Sequence, residues 1–389
     1  MRITTRSIAF MLAFAVATTA AAKTGDVLPP KDKSILFWSP AEQAAGYRRI
    51  EDVLPTHVVK RGTKVHALPK ASGPEPQINF TVQGKTYDTK SYMDAYRVSG
   101  ILIIKDGKIV LERYGLGRTA ADRWTSFSVA KSVTSTLIGA AIKDGYIKSI
   151  DDPVTQYIPE LKGSAYEGVT IKQLLTMSSG VKWNEDYTDP NSDVARSGFE
   201  PVKGKINPIV AYMRRLPREA APGTKFVYKT GETDLAGILL SNAVHKTMSQ
   251  YASEKIWKPY GMEKDAVWML DPAGHERGGC CMSITLRDYG RIGEFMLDGG
   301  AGQLPDWWVK EATRKQIDTV PGGARGGYGF FWWMDPHGYN AIGIFGQMIH
   351  IDPAEKLVIV TNSAWPKATG RDLSAAREAF IEAATKAVH

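Results

Sequence analysis

Strand-forming runs stand at both ends of this chain, and the long stretch between them reads as helix. Ile101-Leu102-Ile103-Ile104 and Ile109-Val110-Leu111 flank Asp106-Gly107, a pair that favours the tight turn of an antiparallel hairpin. Towards the other end, runs at 328–334, 341–344, 348–351 and 357–361 are separated in part by Asp335-Pro336-His337-Gly338 and Asp352-Pro353-Ala354-Glu355, both turn sequences. From about 150 to 275 the pattern is mostly helical: Thr170 can cap a segment reaching Met177, and Glu232 to Lys258 reads as one or two helices stopped by Pro259 and Gly261. Further helices are expected over 285–297 and 372–388. Strands joined by short turns pair antiparallel, so the helical middle must leave the sheet and the chain must return to it. The expected fold class is therefore α/β (α+β). An antiparallel sheet flanked by helices, from residues 96–150 and 276–389, is interrupted by a mostly helical domain at 151–275. Residues 23–95 carry Pro29-Pro30, Pro55, Pro69, Pro74 and Pro76 with little periodicity, and read as an extended N-terminal arm wrapped on the body.

One tetrad at the head of a helix carries chemistry. Ser128-Val129-Ala130-Lys131 opens an apolar run through Val133, Leu137, Ile138 and Ile142, with Gly145 as its stop. Positions i and i+3 share a helix face, so the lysine amine can reach the serine hydroxyl. The helix N-terminus adds positive potential, and burial lowers a lysine's pKa, so a neutral Lys131 can take the Ser128 proton. A second copy, Ser179-Gly180-Val181-Lys182, follows its helix instead of opening one and reads as structural. Tyr228, between a Pro222-Gly223 turn and a helix, supplies the next group: a lysine ammonium beside it would lower its pKa and let the phenolate relay a proton.

Other chemistries find no support. There is no G-x-S-x-G elbow, no paired-histidine spacing for a metal and no phosphate loop, so neither cofactor nor metal is expected. No basic block interleaved with aromatics suggests nucleic acid. Arg2 and Arg6, an apolar run from Ile8 to Ala17 and Ala20-Ala21-Ala22 read as a signal peptide over residues 1–22. Its removal takes the formal charge from +8 to +6 and implies a periplasmic or secreted protein without stable membrane insertion. Cys280 and Cys281 are the only cysteines; joining neighbours closes a strained ring, so two thiols are expected.

Three ordered runs carry a resemblance: Ser128-Val129-Ala130-Lys131, Leu174 through Gly180, and Pro222 through Tyr228. With Pro259-Tyr260-Gly261-Met262 and Gly278-Gly279 through Asp288, they resemble the serine β-lactamase-related family of class C β-lactamases, DD-peptidases and esterases. Asn184 through Pro190, and Asn362 through Pro366, are similar to its 6-aminohexanoate-dimer hydrolase branch. The resemblance implies a β-lactamase/transpeptidase-like fold from about residue 95 onward. It implies Ser128 as nucleophile, Lys131 as base and Tyr228 as the proton shuttle to the leaving nitrogen. It also implies Tyr187 as a hydrogen-bonding partner of the substrate amide, and an oxyanion hole from the backbone N–H groups of Ser128 and Gln347, beside Gly346. Two motifs depart from the family. Tyr228-Lys229-Thr230 lacks the usual asparagine, and the third motif falls at Ile344-Phe345-Gly346 with no cation, which disfavours a β-lactam carboxylate. The expected function is an exported serine hydrolase of linear amides acting on a small-molecule amide or ester. Alternatives are a carboxylesterase, a D-amino-acid peptidase and a non-catalytic sensor. The oligomeric state stays open, a homodimer among the options.

Overall fold

The computed structural model describes residues 26–198, 200–202, 204–320 and 326–389; the signal-peptide reading at 1–22 lies outside them. A seven-stranded antiparallel sheet forms the centre. Its strands are β1 (Val98–Lys105), β2 (Lys108–Tyr114), β3 (Gly327–Tyr328), β4 (Trp333–Asp335), β5 (Gly338–Gly343), β6 (Gln347–Asp352) and β7 (Leu357–Ser363), in the order β2-β1-β7-β6-β5-β4-β3. The β1–β2 turn has positive φ at both Asp106 and Gly107, the conformation whose twist matches flanking strands. β1 and β7 are buried along nearly their whole length, as continuous Ile, Leu and Val runs require of central strands covered on both faces.

Four helices matter for the site: α1 (Val129–Lys143), α2 (Thr230–Val244), α3 (Leu286–Leu297) and α4 (Arg371–Ala387). α1 is buried from Val129 to Ala141 on every face, which explains the lack of an alternating polar stripe in its sequence. It packs on α2 and on β5. Three of its four hydroxyls are satisfied by carbonyls: Ser132 donates to Phe331 at 2.7 Å, Thr134 to Gly278 at 2.8 Å and Thr136 to Ser132 at 2.8 Å, while Ser135 Oγ is buried without a partner. α3 and α4 lie on opposite faces of the sheet, α3 against β1 and β7 in the large core, α4 in a second core with Ile101, Ile103 and Ile359.

Several elements differ from expectation. The run at 328–334 is two strands, because the chain reverses at Phe331, which has φ 59°, and β3 folds back on β4. A second sheet of four strands joins Thr56–Val59, Ala266–Met269, Met282–Thr285 and Arg123–Thr125. Its members are short and far apart in sequence, so no local pattern announces them. The N-terminal segment is also less irregular than expected, with helices Pro40–Gly46 and Thr89–Ala95 and a hairpin, Asn79–Val82 with Lys85–Asp88. Cys280 and Cys281 are joined to each other, in place of the two thiols expected. Both pack into the aromatic cluster around Trp124 and Phe127, where the tertiary fold holds the adjacent side chains together.

Candidate active site

Ser128 occupies the N-cap of α1, yet its hydroxyl makes no capping bond and stays free for other chemistry. The chain enters this position through Phe127, held at φ 43° between Tyr47 and Phe345 at ring separations of 5.2 and 5.1 Å. A left-handed non-glycine residue is costly, and here the aromatic cluster over-determines it and fixes where Ser128 emerges. Ser128 is 8% exposed.

Lys131, one turn on, is buried. Its Nζ donates to Thr230 Oγ1 at 3.0 Å and to the Gly279 carbonyl at 3.1 Å. Glycine at 279 leaves room for this approach: a Cβ there would stand 2.9 Å from Nζ and 3.0 Å from the Thr230 carbonyl oxygen. Burial pushes the Lys131 pKa down to about 8; Glu185 and Asp234 oppose this, and Arg277 adds to it. Tyr228 places its ring centroid 5.3 Å from Lys131 Nζ, and its phenol interacts with the Ser128 hydroxyl. The expected phenolate is corrected here: burial and then the Glu185 charge raise the Tyr228 pKa, outweighing the Ser128 hydrogen bond. Tyr228 is a neutral O–H donor, stacked on Trp333 at 5.5 Å.

Two residues that the sequence reading left without a role complete the cluster. Glu185 accepts from the Thr230 backbone N–H at 2.9 Å and from Tyr187 Oη at 2.7 Å, and also from the Thr230 hydroxyl and Trp183 Nε1. Thr230 stands where the family's asparagine was missed, and links Lys131 to the Glu185 carboxylate. Glu185 lies inside the Asn184–Pro190 run already noticed, so its signal was present but unassigned. Because Glu185 holds the Lys131 pKa up, Glu185→Gln is expected to move the acidic limb of the kcat/KM profile below about 8, where neutral lysine first accumulates. A pH series with a chromogenic ester measures this; a limb that stays put or rises refutes the coupling.

Ser128 lies between two cavities. The first, about 290 Å³, is also lined by Tyr187, Thr230, Ile344 and, from the N-terminal segment, Lys31 and Lys33 to Leu36. That segment is pinned by the Lys33–Glu42 ion pair at 2.7 Å and by Trp38 Nε1 donating to the Lys33 carbonyl at 3.1 Å. The second cavity, about 310 Å³, is lined by Glu185, Tyr187, Tyr228, Trp333, Gly343, Ile344 and part of α4.

Gly346 and Gln347 line neither cavity. The chain reverses at Phe345, φ 59°, so Gln347 pairs opposite Gly343 on the next strand. Its side chain is fully buried, donating to the Ser363 carbonyl at 2.8 Å and accepting from Trp124 Nε1 at 3.1 Å. Gly343 and Ile344 take the place expected of them: a Cβ at Gly343 would stand 3.1 Å from the Ser128 backbone nitrogen. Ser179 is in a different environment from Ser128, fully buried, donating to Glu232 and accepting from the Val181 N–H at 3.1 Å. Lys229, next to Tyr228, is also fully buried, 3.6 Å from Glu232, and faces neither cavity.

A family model described as beta-lactamase matches residues 89–384. A 6-aminohexanoate-dimer hydrolase of Paenarthrobacter ureafaciens is 28% identical over 346 residues, covering 82% of this chain and 85% of the relative. A Bacillus anthracis structure assigned by name to the 6-aminohexanoate-dimer hydrolases superposes with a TM-score of 0.81 at 23% identity, over 95% of this chain and 98% of that one. EstCE1, named as a hydrolase with promiscuous acyltransferase activity, gives 0.60 at 16% identity, over 75% and 96%. The two structures speak for the fold.

Proposed function

The chain belongs to the beta-lactamase family and is a hydrolase of that type, and from this premise we propose that it cleaves linear amides through an acyl-enzyme on Ser128. The observation that carries the reading is the meeting of Ser128, buried Lys131 and neutral Tyr228 where two cavities join. Neutral Lys131 takes the Ser128 proton as Oγ attacks the carbonyl carbon. The backbone N–H groups of Ser128 and Ile344 are the proposed oxyanion donors, the second in place of Gln347. Tyr228 gives its proton to the departing nitrogen, and the Lys131 ammonium restores it. The amine leaves through the cavity that Tyr228 lines, and the acyl group occupies the other. Water then attacks the ester, with Lys131 again as base, and releases the carboxylic acid.

Tyr187 is assigned to the substrate amide. Tyr187→Phe is expected to lower amide turnover about 10- to 100-fold while p-nitrophenyl ester turnover changes less than about 3-fold, since a phenolate leaving group needs no such help. Paired amide and ester assays measure it. Equal loss of both would remove Tyr187 from amide recognition. One observation favours a carboxylesterase as the second reading: the Tyr187 hydroxyl already donates to Glu185 at 2.7 Å and must turn to serve a substrate. A Tyr187→Phe variant that loses neither activity would move the assignment to esters. Export to the periplasm or medium is part of the proposal, supported by the basic, apolar and small-residue order of residues 1–22. Among the described residues no helix is long and apolar enough to cross a membrane.

A further inference from the structure

The first cavity beside Ser128 carries little free polarity away from the catalytic cluster. Ser128, Tyr187 and Thr230 supply hydroxyls there, while Ile35, Leu36, Leu54, Val194, Met269 and Ile344 make up much of the remaining wall. Its charged lining is Lys31, Lys33, Arg277 and Asp271, three cations against one carboxylate. Arg277 donates to Asp234 at 2.9 Å and Lys33 is paired with Glu42. Asp271 already accepts from Asn207 Nδ2 at 3.0 Å and from the backbone N–H groups of Ala273 and His275 at 2.8 and 2.9 Å. Lys31 is exposed and adds positive charge at the wall. Ile35 and Leu36 sit in one helical turn, Ile35–Phe37, capped by Ser34, and pack on the aromatic cluster that holds Phe127. That turn precedes residue 89, so this part of the wall comes from outside the stretch matched by the family model. At about 290 Å³ the space takes roughly nine methylene-sized groups, each displacing about the 30 Å³ of a water molecule.

We propose that this cavity selects an unbranched, uncharged aliphatic acyl chain and rejects one that ends in a cation, and that the turn carrying Ile35 and Leu36 sets the selectivity. This rests on the reading that the acyl half of a Ser128 acyl-enzyme occupies this cavity. An aliphatic chain leaves water for a wall of matching apolar surface, and each methylene adds to binding. A cationic end would lose its hydration in a space whose one carboxylate is already occupied, with Lys31 opposing it. Rejection by an unpaired charge discriminates more sharply than any gain from fit.

The test uses p-nitrophenyl esters, so that the leaving group stays constant while the acyl half varies. Wild-type kcat/KM is expected to rise about 2- to 4-fold per methylene from acetate to octanoate. The esters of 7,7-dimethyloctanoate and 6-(trimethylammonio)hexanoate have the same shape and differ in one charge. The neutral one is expected to react at least about 30-fold faster in kcat/KM. Leu36→Glu places a carboxylate in the wall and is expected to shrink that ratio at least about 5-fold. A flat chain-length series, a wild-type ratio near one, or a ratio unchanged in Leu36→Glu overturns the proposal. Should Leu36→Glu not fold, the double variant Ile35→Ala, Leu36→Ala takes its place and must lower the gain per methylene. Binding of the two corresponding primary amides is measured in parallel by calorimetry on Ser128→Ala, which needs no turnover. If the wild type turns over no ester but Ser128→Ala binds the neutral amide at least about 10-fold tighter than the cationic one, the hydrolase reading fails and the selectivity of the cavity stands. If all the esters are turned over at similar rates and the two amides bind equally, the selectivity fails and the hydrolase reading stands.

Discussion

Ser128→Ala is expected to lower kcat/KM for any ester or amide substrate by at least about 10⁴-fold and to abolish the acyl adduct seen by mass spectrometry. Loss of the nucleophile leaves only binding and oxyanion stabilisation, which together retain a small part of the rate. The fold should not suffer. The hydroxyl makes no capping bond, so the change in stability is expected to stay within about 0.5 kcal/mol. The informative panel is a p-nitrophenyl ester, an aminohexanoate dimer and a cephalosporin, each offered to wild type and variant. Turnover that survives in Ser128→Ala would move the nucleophile elsewhere. A wild type inert on all three, with no mass shift on Ser128, would sink the acyl-enzyme altogether.

Lys131→Met is expected to cost about 10³-fold or more in kcat, because the proton acceptor and its pathway to Tyr228 disappear together. The pH dependence separates this from misfolding. With the Lys131 pKa lowered to about 8, the active neutral form grows as pH rises through that value, and wild-type kcat/KM should rise with it. The variant should lack that limb. The linkage sign also follows. Lys131 in the folded chain releases its proton near 8, against 10.5 in the unfolded chain, so the unfolded state binds more protons between those values. Wild-type stability should therefore increase from about pH 8 to 10.5, by up to roughly 3 kcal/mol at 1.36 kcal/mol per pKa unit. The group is buried, so solvent screening takes little from that figure. Lys131→Met removes the dependence and should match or exceed wild-type stability at neutral pH, since an isosteric apolar side chain no longer has to hold a desolvated ammonium. Denaturant melts across pH 7 to 10.5 check both statements. A variant far less stable than wild type at pH 7 would mean that the Thr230 and Gly279 hydrogen bonds outweigh desolvation.

How much of this site was legible in one dimension varies by residue. Ser128 and Lys131 are one helical turn apart, so their shared face follows from helix geometry, and helix direction separates them from Ser179 and Lys182. The hairpin at Asp106-Gly107 is equally local, since its turn chemistry sits in two adjacent residues. Gln347 shows where this stops. Whether the third-motif strand offers residue 344 or 347 to Ser128 depends on a reversal at Phe345, and nothing in Ile344-Phe345-Gly346-Gln347 announces a left-handed phenylalanine. Tyr228 was legible as a candidate from its motif, but the direction of its pKa was not, because the extent of burial and the charge on Glu185 enter only after folding.

Taken alone, the order of residues determined the antiparallel sheet with helices inserted between its strands, and the spacing that puts Ser128 and Lys131, the candidate nucleophile and base, on one helix face. These rest on periodicity, turn chemistry and i, i+3 geometry, all of which act over a few residues. Only the tertiary structure decided that Lys31 and Lys33 to Leu36 line the cavity beside Ser128, that Thr230 links Lys131 to Glu185, and that Arg377 lines the space beside Tyr228 against the face of Trp365. Those contacts join segments dozens to hundreds of residues apart. Their electrostatics depend on how much water each group loses, which is a property of the packed interior.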